Sequence, residues 1–382
     1  RTKREVNDMD LGLNEAQQML KNSAQEFLEA ECPDTYVREM EEDENGYTTE
    51  MWQKLAEQGW LGLIIPEKYG GVELEFQDLT ILLEEMGRFM LPGPYFSNVV
   101  LGGMSIMDSG TEEQKQEYLP RIAEGQIIVT LALNEPSGRW DPEGIQLTAT
   151  EAGGKYALNG TKLFVPNAHI SDYIVVVART GDGENDISLF ILPSQSNGIN
   201  QTLLKTIASD RQSEVTFDNV ELPASSLLGE KNRGWQTIEK VLKWGAIGKC
   251  AEMSGGGQSV LDMTVEYAKQ RTQFGRPIGT FQAIQHHCAN MATDVEGAKF
   301  ITYQAAWMLS EGLPADREVA MAKAWVSDAY KRVCALGHQS HGAIGFTKEH
   351  NMQLYSRRAK AAELAFGDSD LHLDKVAEII GL

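Results

Sequence analysis

The sequence predicts an α+β multidomain chain: an N-terminal α-helical domain over residues 1–125, a middle β-barrel or sandwich domain over 126–233, and a C-terminal four-helix bundle over 234–382. Three observations predict it. Apolar residues recur at i, i+3, i+4 spacing in the first and last parts of the chain. The middle part holds short runs rich in Val, Ile and Thr, divided by Gly-Gly, Asn-Gly and Gly-Asp-Gly. None of those runs is followed by a crossover helix, which excludes a doubly wound nucleotide fold there.

In order, NEAQQMLKNSAQEFLEAE has one apolar face and a second helical run covers Thr49 to Gln58. Pro66 and the pair Gly70 and Gly71 force turns in GWLGLIIPEKYGGVE. Helices resume over Asp78 to Met86 and Thr111 to Ile122, the latter opened by a Thr-x-x-Gln capping pattern. After Gly125 the segments IIVTLAL, IQLTATEAGGKYALNGTKLFV, DYIVVVART, DISLFILP and SEVTFDNVELP read as strands. The loop Ala132 to Gly144 leaves one of them, either lining a ligand or closing an ordinary hairpin. Trp235 to Lys269, Phe281 to Glu311, Arg317 to Leu336 and Leu354 to Phe366 have the length of bundle helices, with a short one from about Leu371. Gly255, Gly256 and Gly257 fall within a helical pattern, with no strand before and no Lys-Ser or Lys-Thr after, so they predict close helix packing rather than a phosphate cradle.

A length of 382 residues suits two or three cooperating cores. The formal charge of −21 argues against nucleic acid and against anionic membrane as partners, since both demand clustered cations. No apolar run reaches membrane-spanning length, and the first residues lack the plan of a secretion signal. The expectation is a soluble protein, cytoplasmic in a bacterium or of the mitochondrial matrix in a eukaryote. Met9 begins MDLGLNEAQ, so Arg1 to Asp8 reads as an extension or the end of a processed presequence. The four cysteines, Cys32, Cys250, Cys288 and Cys334, have no ligand spacing and predict reduced thiols. His286 and His287 point about 100° apart on a helix, and His338 and His341 lack a third ligand, so no metal site is expected. No G-x-S-x-G elbow or catalytic cysteine context is present, which disfavours acyl transfer.

Two loops stand out chemically. HGAIGFTKEH sets one carboxylate, Glu349, beyond a glycine-punctuated turn between helices, where Gly342 and Gly345 permit close approach and positive φ. Glu349 is the candidate base. RTQFGRPIGTFQ offers a cation, an amide and a ring on a single loop, which suits a pyrophosphate with an attached adenine.

With GWLGLIIPEKYGG, NEPSGRWD, RTQFGRPIGTFQ and QSHGAIGFTKEH in this order and spacing, the chain resembles the acyl-CoA dehydrogenase family of flavoproteins over nearly its whole length. The resemblance implies FAD between the β domain and the bundle, reaching a neighbouring subunit. Arg271, Gln273 and Phe274 would hold its pyrophosphate and adenine; Gln339, Gly342 and Ala343 would contact the same cofactor. Leu133, Asn134, Trp140, Phe164 and Pro166 would meet it from the β domain, and Gly367 and Asp368 from a loop on its own subunit. Glu349 would remove the α-proton of an acyl-CoA while flavin N5 takes the β-hydride. Its backbone N–H and a ribityl hydroxyl would hold the thioester carbonyl. Electrons would pass to an electron-transfer flavoprotein. Some branches carry the base near Gly245, where this chain has no carboxylate.

Phe96, Ser97 and Asn98 are the expected pocket floor, and Arg88 a partner for any second carboxylate on the acyl group. The variant HGAIGFTKEH with LYSRR resembles a bacterial branch acting on branched or ring-bearing acyl-CoAs. The usual Trp-x-Thr is Phe164, Val165, Pro166 here, the Thr of Thr-Glu-Pro is Asn134, and Gly-Ser-Asp becomes Arg139, Trp140, Asp141. Proline offers flavin N5 neither N–H nor hydroxyl. A homotetramer built as a dimer of dimers is implied. The competing expectations are a non-catalytic FAD-site subunit of a heteromer and a flavin oxidase or monooxygenase on the same fold.

Overall fold

The computed structural model describes residues 11–382; the extension ahead of Met9 lies outside them. The chain separates into two compact units. One comprises residues 11–37, 75–91 and 246–382 of those described, and the other 38–74 and 92–245. The helical N-terminal region thus contributes to both.

The first unit is built of helices from both ends of the chain. Helix α1 (Glu15–Glu31) starts at a capping box, Asn14 accepting from the Gln17 N–H while the Gln17 side chain accepts from that of Asn14. Helix α2 (Asp34–Glu42) crosses from this unit to the other, and α3 (Thr49–Glu57) belongs to the second. Helix α4 (Phe76–Arg88) is buried nearly all round, as expected of a central helix. The packing predicted from the three glycines is seen here: a Cβ on Gly255 would lie 1.8 Å from the Glu84 carbonyl oxygen, and one on Gly87 2.1 Å from that of Glu252. Only glycines let α4 and the following long helix meet backbone to backbone.

In the second unit, residues Phe96–Gly103 form a π-helix that continues into α5 (Met104–Ser109), neither anticipated from sequence; α6 (Glu112–Ala123) follows with the expected Thr111–Gln114 capping box. The π-helix lies on β1 (Val129–Ala132), where the Val129 N–H donates to Asn98 Oδ1 at 2.7 Å. The remaining large strands are β2 (Thr148–Ala152), β3 (Lys155–Pro166), β4 (Tyr173–Arg179), β5 (Ile187–Pro193), β6 (Ile199–Leu204) and β7 (Gln212–Pro223), with a short β8 (Leu227–Leu228). They form one sheet ordered β6-β7-β3-β2-β4-β5-β8, with β1 parallel to β4. Tyr156 of β3 and Phe190 of β5 are not on neighbouring strands, yet their rings meet edge to face at 4.9 Å. The sheet therefore curls round one core of inward side chains from β1 to β7.

Two turn readings resolve differently. Gly153 and Gly154, both at positive φ, make the tight β2–β3 hairpin. Asn159-Gly160 is no turn but a register shift inside β3, where a Cβ on Gly160 would sit 2.9 Å from Leu147 Cα. The segment Ala132 to Gly144 is not a hairpin either, because β1 and β2 both pair with β4 rather than with each other.

The long helix α7 (Gly234–Gln270) leads back into the first unit. There β9 (Thr272–Gln273) and β10 (Arg276–Pro277) form a two-residue ladder, followed by α8 (Gln282–Ser310), α9 (Asp316–His341), α10 (Met352–Leu364) and α11 (Ser369–Ile380). α9 packs on α8, α10 and α11, and α1 and α4 complete the bundle from the other end of the sequence. The helix read as ending at Phe366 stops at Leu364, because Phe366 and Gly367 both take positive φ.

Candidate functional site

Helix α9 ends at His341, and Gly342 turns the chain out of it with φ +66°. A Cβ there would meet nothing within 4 Å, so this glycine is needed for conformation alone. Gly345 is different: it has ordinary φ, but a side chain would press on His341 Cβ at 3.1 Å and His338 Nδ1 at 3.3 Å. Residues 342–346 form a 3-10 turn laid over these imidazoles. His341 stacks on Tyr267 at 4.5 Å and its Nδ1 bonds the Gly337 carbonyl at 2.9 Å; His338 stacks on Phe346 at 4.4 Å. Burial holds both histidines below the usual imidazole range, with His341 adding to the effect at His338. Beyond this support Glu349 stands exposed in a turn, and His350 accepts the first N–H of α10, that of Met352, at 3.1 Å. Gln339 and Ala343 are exposed on the same stretch.

Arg271, just ahead of the β9–β10 ladder, and Gln273 on it are exposed, and Phe274 in its turn, at φ +53°, is 91% exposed. An aromatic residue held at left-handed backbone with its ring in solvent is strained and uncovered. Such a set fits a flat dinucleotide carrying a pyrophosphate. Gly367 is buried, and Asp368 caps α11 by accepting from the Leu371 N–H at 3.0 Å. Arg88, in this same unit, has its guanidinium on Asp262 at 2.9 Å.

The second unit carries the other predicted residues. Phe164 repeats the pattern of Phe274: φ +54°, 53% exposed, at a register shift of β3. Pro166 turns its carbonyl to the Thr130 hydroxyl, and Leu163 donates to the Asn134 carbonyl at 2.8 Å. Leu133, Asn134 and Trp140 are half-buried, and Arg139 is tied to Asp141 by paired bonds. Ser97 and Asn98 are buried and Phe96 partly so. The Asn98 amide nitrogen has no hydrogen-bond partner, whereas Ser97 accepts from Asn167 at 2.9 Å.

Sequence reasoning missed what holds two of these loops. Lys162 is fully buried, with Nζ on the Leu133 carbonyl at 3.1 Å and on Glu135 at 2.6 Å. Glu135 in turn accepts from the N–H groups of Gln146 and Leu147. Burial brings Lys162 down to about 8 against the pull of Glu135. Lys323 is fully buried in the first unit, on the carbonyls of Glu363 at 2.8 Å and Gly367 at 2.9 Å. Among the described residues, no group of three or more His, Cys, Asp or Glu is arranged to hold a metal ion, and no helix is long and apolar enough to cross a membrane.

The chain matches three consecutive pieces of one family: acyl-CoA dehydrogenase N-terminal domain over residues 14–126, middle domain over 130–220 and C-terminal domain over 232–381. It is 32% identical to the probable acyl-CoA dehydrogenase YngJ of Bacillus subtilis, over 95% of this chain and 97% of that one. It is 33% identical to the caffeyl-CoA reductase-Etf complex subunit CarC of Acetobacterium woodii, over 94% and 96%. Among solved structures, the ChsE4-ChsE5 complex from Mycobacterium tuberculosis superposes with a TM-score of 0.89 at 28% identity, covering 97% of this chain and 99% of that one. The FAD complex of PigA superposes with a TM-score of 0.90 at 25% identity, covering 98% and 100%. With three domain matches spanning the fold and relatives of equal length, the chain belongs to the acyl-CoA dehydrogenase family of oxidoreductases.

Proposed function

We propose that this chain binds FAD and carries out α,β-dehydrogenation of an acyl-CoA thioester to the trans-2-enoyl-CoA, with Glu349 as the base and an electron-transfer flavoprotein as acceptor. The carrying observation is the exposed Glu349 carboxylate at the end of a turn stiffened by two imidazole stacks, that of the buried His341 on Tyr267 and that of the half-buried His338 on Phe346. FAD, when bound, supplies the hydride acceptor. Arg271 neutralises phosphate charge, Phe274 and Phe164 offer ring faces, and Gly342 and Ala343 leave the backbone accessible. Glu349 takes the α-proton on a carboxylate oxygen, and its backbone N–H holds the thioester carbonyl. Phe96, Ser97 and Asn98 form the floor of the acyl pocket in this reading, and the acyl group is bulky or ring-bearing. A dicarboxylic substrate would have to displace Asp262 from Arg88, so it is the less favoured class.

One observation favours a second reading, a non-catalytic subunit that completes the FAD site in a heteromer. A base for so weak an acid works in a dry site, and Glu349 is not enclosed within its own chain. A complex of two differently named chains is among the similar structures. One set of measurements separates the readings. The chain is purified with whatever accompanies it, its flavin content per chain is measured, and flavin bleaching is followed with a panel of acyl-CoAs. Glu349→Gln should retain flavin and lose bleaching by roughly 10²-fold to 10⁴-fold. Full bleaching in that variant removes Glu349 as base, and flavin bound only with a second kind of chain establishes the heteromer. Rapid oxygen consumption by the reduced protein would instead mark an oxidase.

A further inference from the structure

Lys162 and Lys323 are the two fully buried lysines among the described residues, one in each unit. Lys162 has a carboxylate partner at 2.6 Å. Lys323 has none: its three bonds go to Ser327 Oγ at 3.0 Å and to the carbonyls of Glu363 and Gly367. Those carbonyls bracket the segment where α10 stops. Phe366 there lies at φ +60°, a conformation that a non-glycine residue adopts only when held, beside Gly367 at φ +92°. His372 bonds the Phe366 carbonyl at 2.9 Å, and Ser369 bonds Asp328 at 2.9 Å. An ammonium is the one side-chain group giving three donors from a single atom with no acceptor of its own, which matches three inward-facing oxygens.

We propose that Lys323 is a positioning residue for the cofactor: by clamping the carbonyls of Glu363 and Gly367 it sets the Phe366–Asp368 loop in the shape that receives FAD. This rests on the reading that FAD lies against Gly367 and Asp368. The clamp depends on the charge of Lys323. Facing it are Cys250 from α7, Lys331 on its own helix, Glu363 on α10, Asp368 ahead of α11 and His372 within it. Burial outweighs the acids and brings Lys323 down to about 8. Above that pH an amine has two N–H groups for three acceptors, and one oxygen loses its donor. Global stability runs the other way. Between about 8 and the ordinary 10.5 the folded chain holds fewer protons at this site than the unfolded one, so this group adds stability as pH rises. Loosening of the loop above pH 8, with Lys323 still buried, is therefore distinct from general unfolding, which the same titration opposes.

The test uses the full chain, with FAD as the probe and amide exchange as a readout independent of turnover. Between pH 7 and 9 the wild type should lose exchange protection at residues 365–369, corrected for intrinsic rates, and lose FAD affinity with the same midpoint. Lys323→Met should weaken FAD binding by roughly tenfold or more at pH 7 and show a flat profile. If that variant does not fold, the wild-type titration still decides. Protection that does not change across this range overturns the clamp. Loosened amides with unchanged FAD affinity overturn the coupling while leaving the dehydrogenase reading intact. A wild-type chain that binds no FAD at any pH sinks the underlying reading instead.

Discussion

Replacing Gly255 by alanine puts the close crossing of α4 and α7 to a direct test. The new methyl carbon would stand 1.8 Å from the Glu84 carbonyl oxygen and 2.8 Å from the Arg88 nitrogen. An ordinary C···O contact is about 3.3 Å, so the helices must part by roughly 1.5 Å. Both obstacles are backbone and cannot swing aside. Overpacking of this kind costs about 1–3 kcal/mol or more, against a gain of about 1 kcal/mol from removing a mid-helix glycine. A net loss of up to about 2 kcal/mol, or more, follows. Gly257 is the internal control, because there a methyl would meet Val295 and Tyr330 side chains at 3.5 and 3.6 Å, ordinary van der Waals distances. Gly257→Ala should therefore stabilise by up to about 1 kcal/mol. Urea unfolding followed by far-ultraviolet circular dichroism measures both variants. Equal shifts of the same sign would refute the claim that backbone contact, rather than helix propensity, put glycine at 255.

Lys162→Met should cost about 3–5 kcal/mol, since it strands the buried Glu135 carboxylate, and adding Glu135→Gln, which removes that charge while keeping an acceptor for the Gln146 and Leu147 N–H groups, should recover part of the loss; a double variant no better than the single one would deny the pairing. Glu85 is 1% exposed and shares Lys21 with Glu84, and burial raises its pKa above the ordinary 4.5. A carboxyl raised in the folded state contributes stability that is complete below 4.5 and is lost as pH rises through its folded value. Glu85→Gln should therefore gain stability relative to the wild type on going from pH 4 to pH 7, and a difference that is constant or runs in reverse would remove the assignment.

The fold was legible where periodicity and turn chemistry agree, as in the hairpin at Gly153-Gly154, the capping box at Thr111, and the glycine run in α7. It was not legible at Asn159-Gly160, because the dipeptide that makes a hairpin also makes a bulge. The choice there is set by the distant Leu147 lying too close for any side chain. The π-helix over Phe96–Gly103 has no spacing signal of its own, since almost every residue in it is apolar or small. The site was legible as motifs and not as support. Lysine reads as a surface residue, and the carboxylate and carbonyl partners of Lys162 and Lys323 lie 27 to 44 residues away in sequence. A signal was nevertheless present. Lys162 shares strand parity with the buried Tyr156 and Leu158, and Lys323 stands on the same helical stripe as Val319, Val326 and Tyr330.

Why a lysine should occupy such positions follows from the geometry of surface loops. A loop that presents one edge to a ligand turns the carbonyls of its other edge inward, where each unmet acceptor costs about 1–3 kcal/mol. Regular structure cannot supply the donors, because at a left-handed break such as Phe366-Gly367 the helical ladder has just ended. Hydroxyls and amides each bring acceptors that need donors of their own, and arginine spreads its donors over a wider plane than a pair of neighbouring carbonyls spans. A buried ammonium meets the need at the expense of desolvation, which is why both lysines titrate near 8. The difference between them is then functional. Lys162 has the Glu135 carboxylate as a countercharge beside the Leu133 carbonyl, whereas Lys323 leans on neutral oxygens, and the order of its loop should follow its proton.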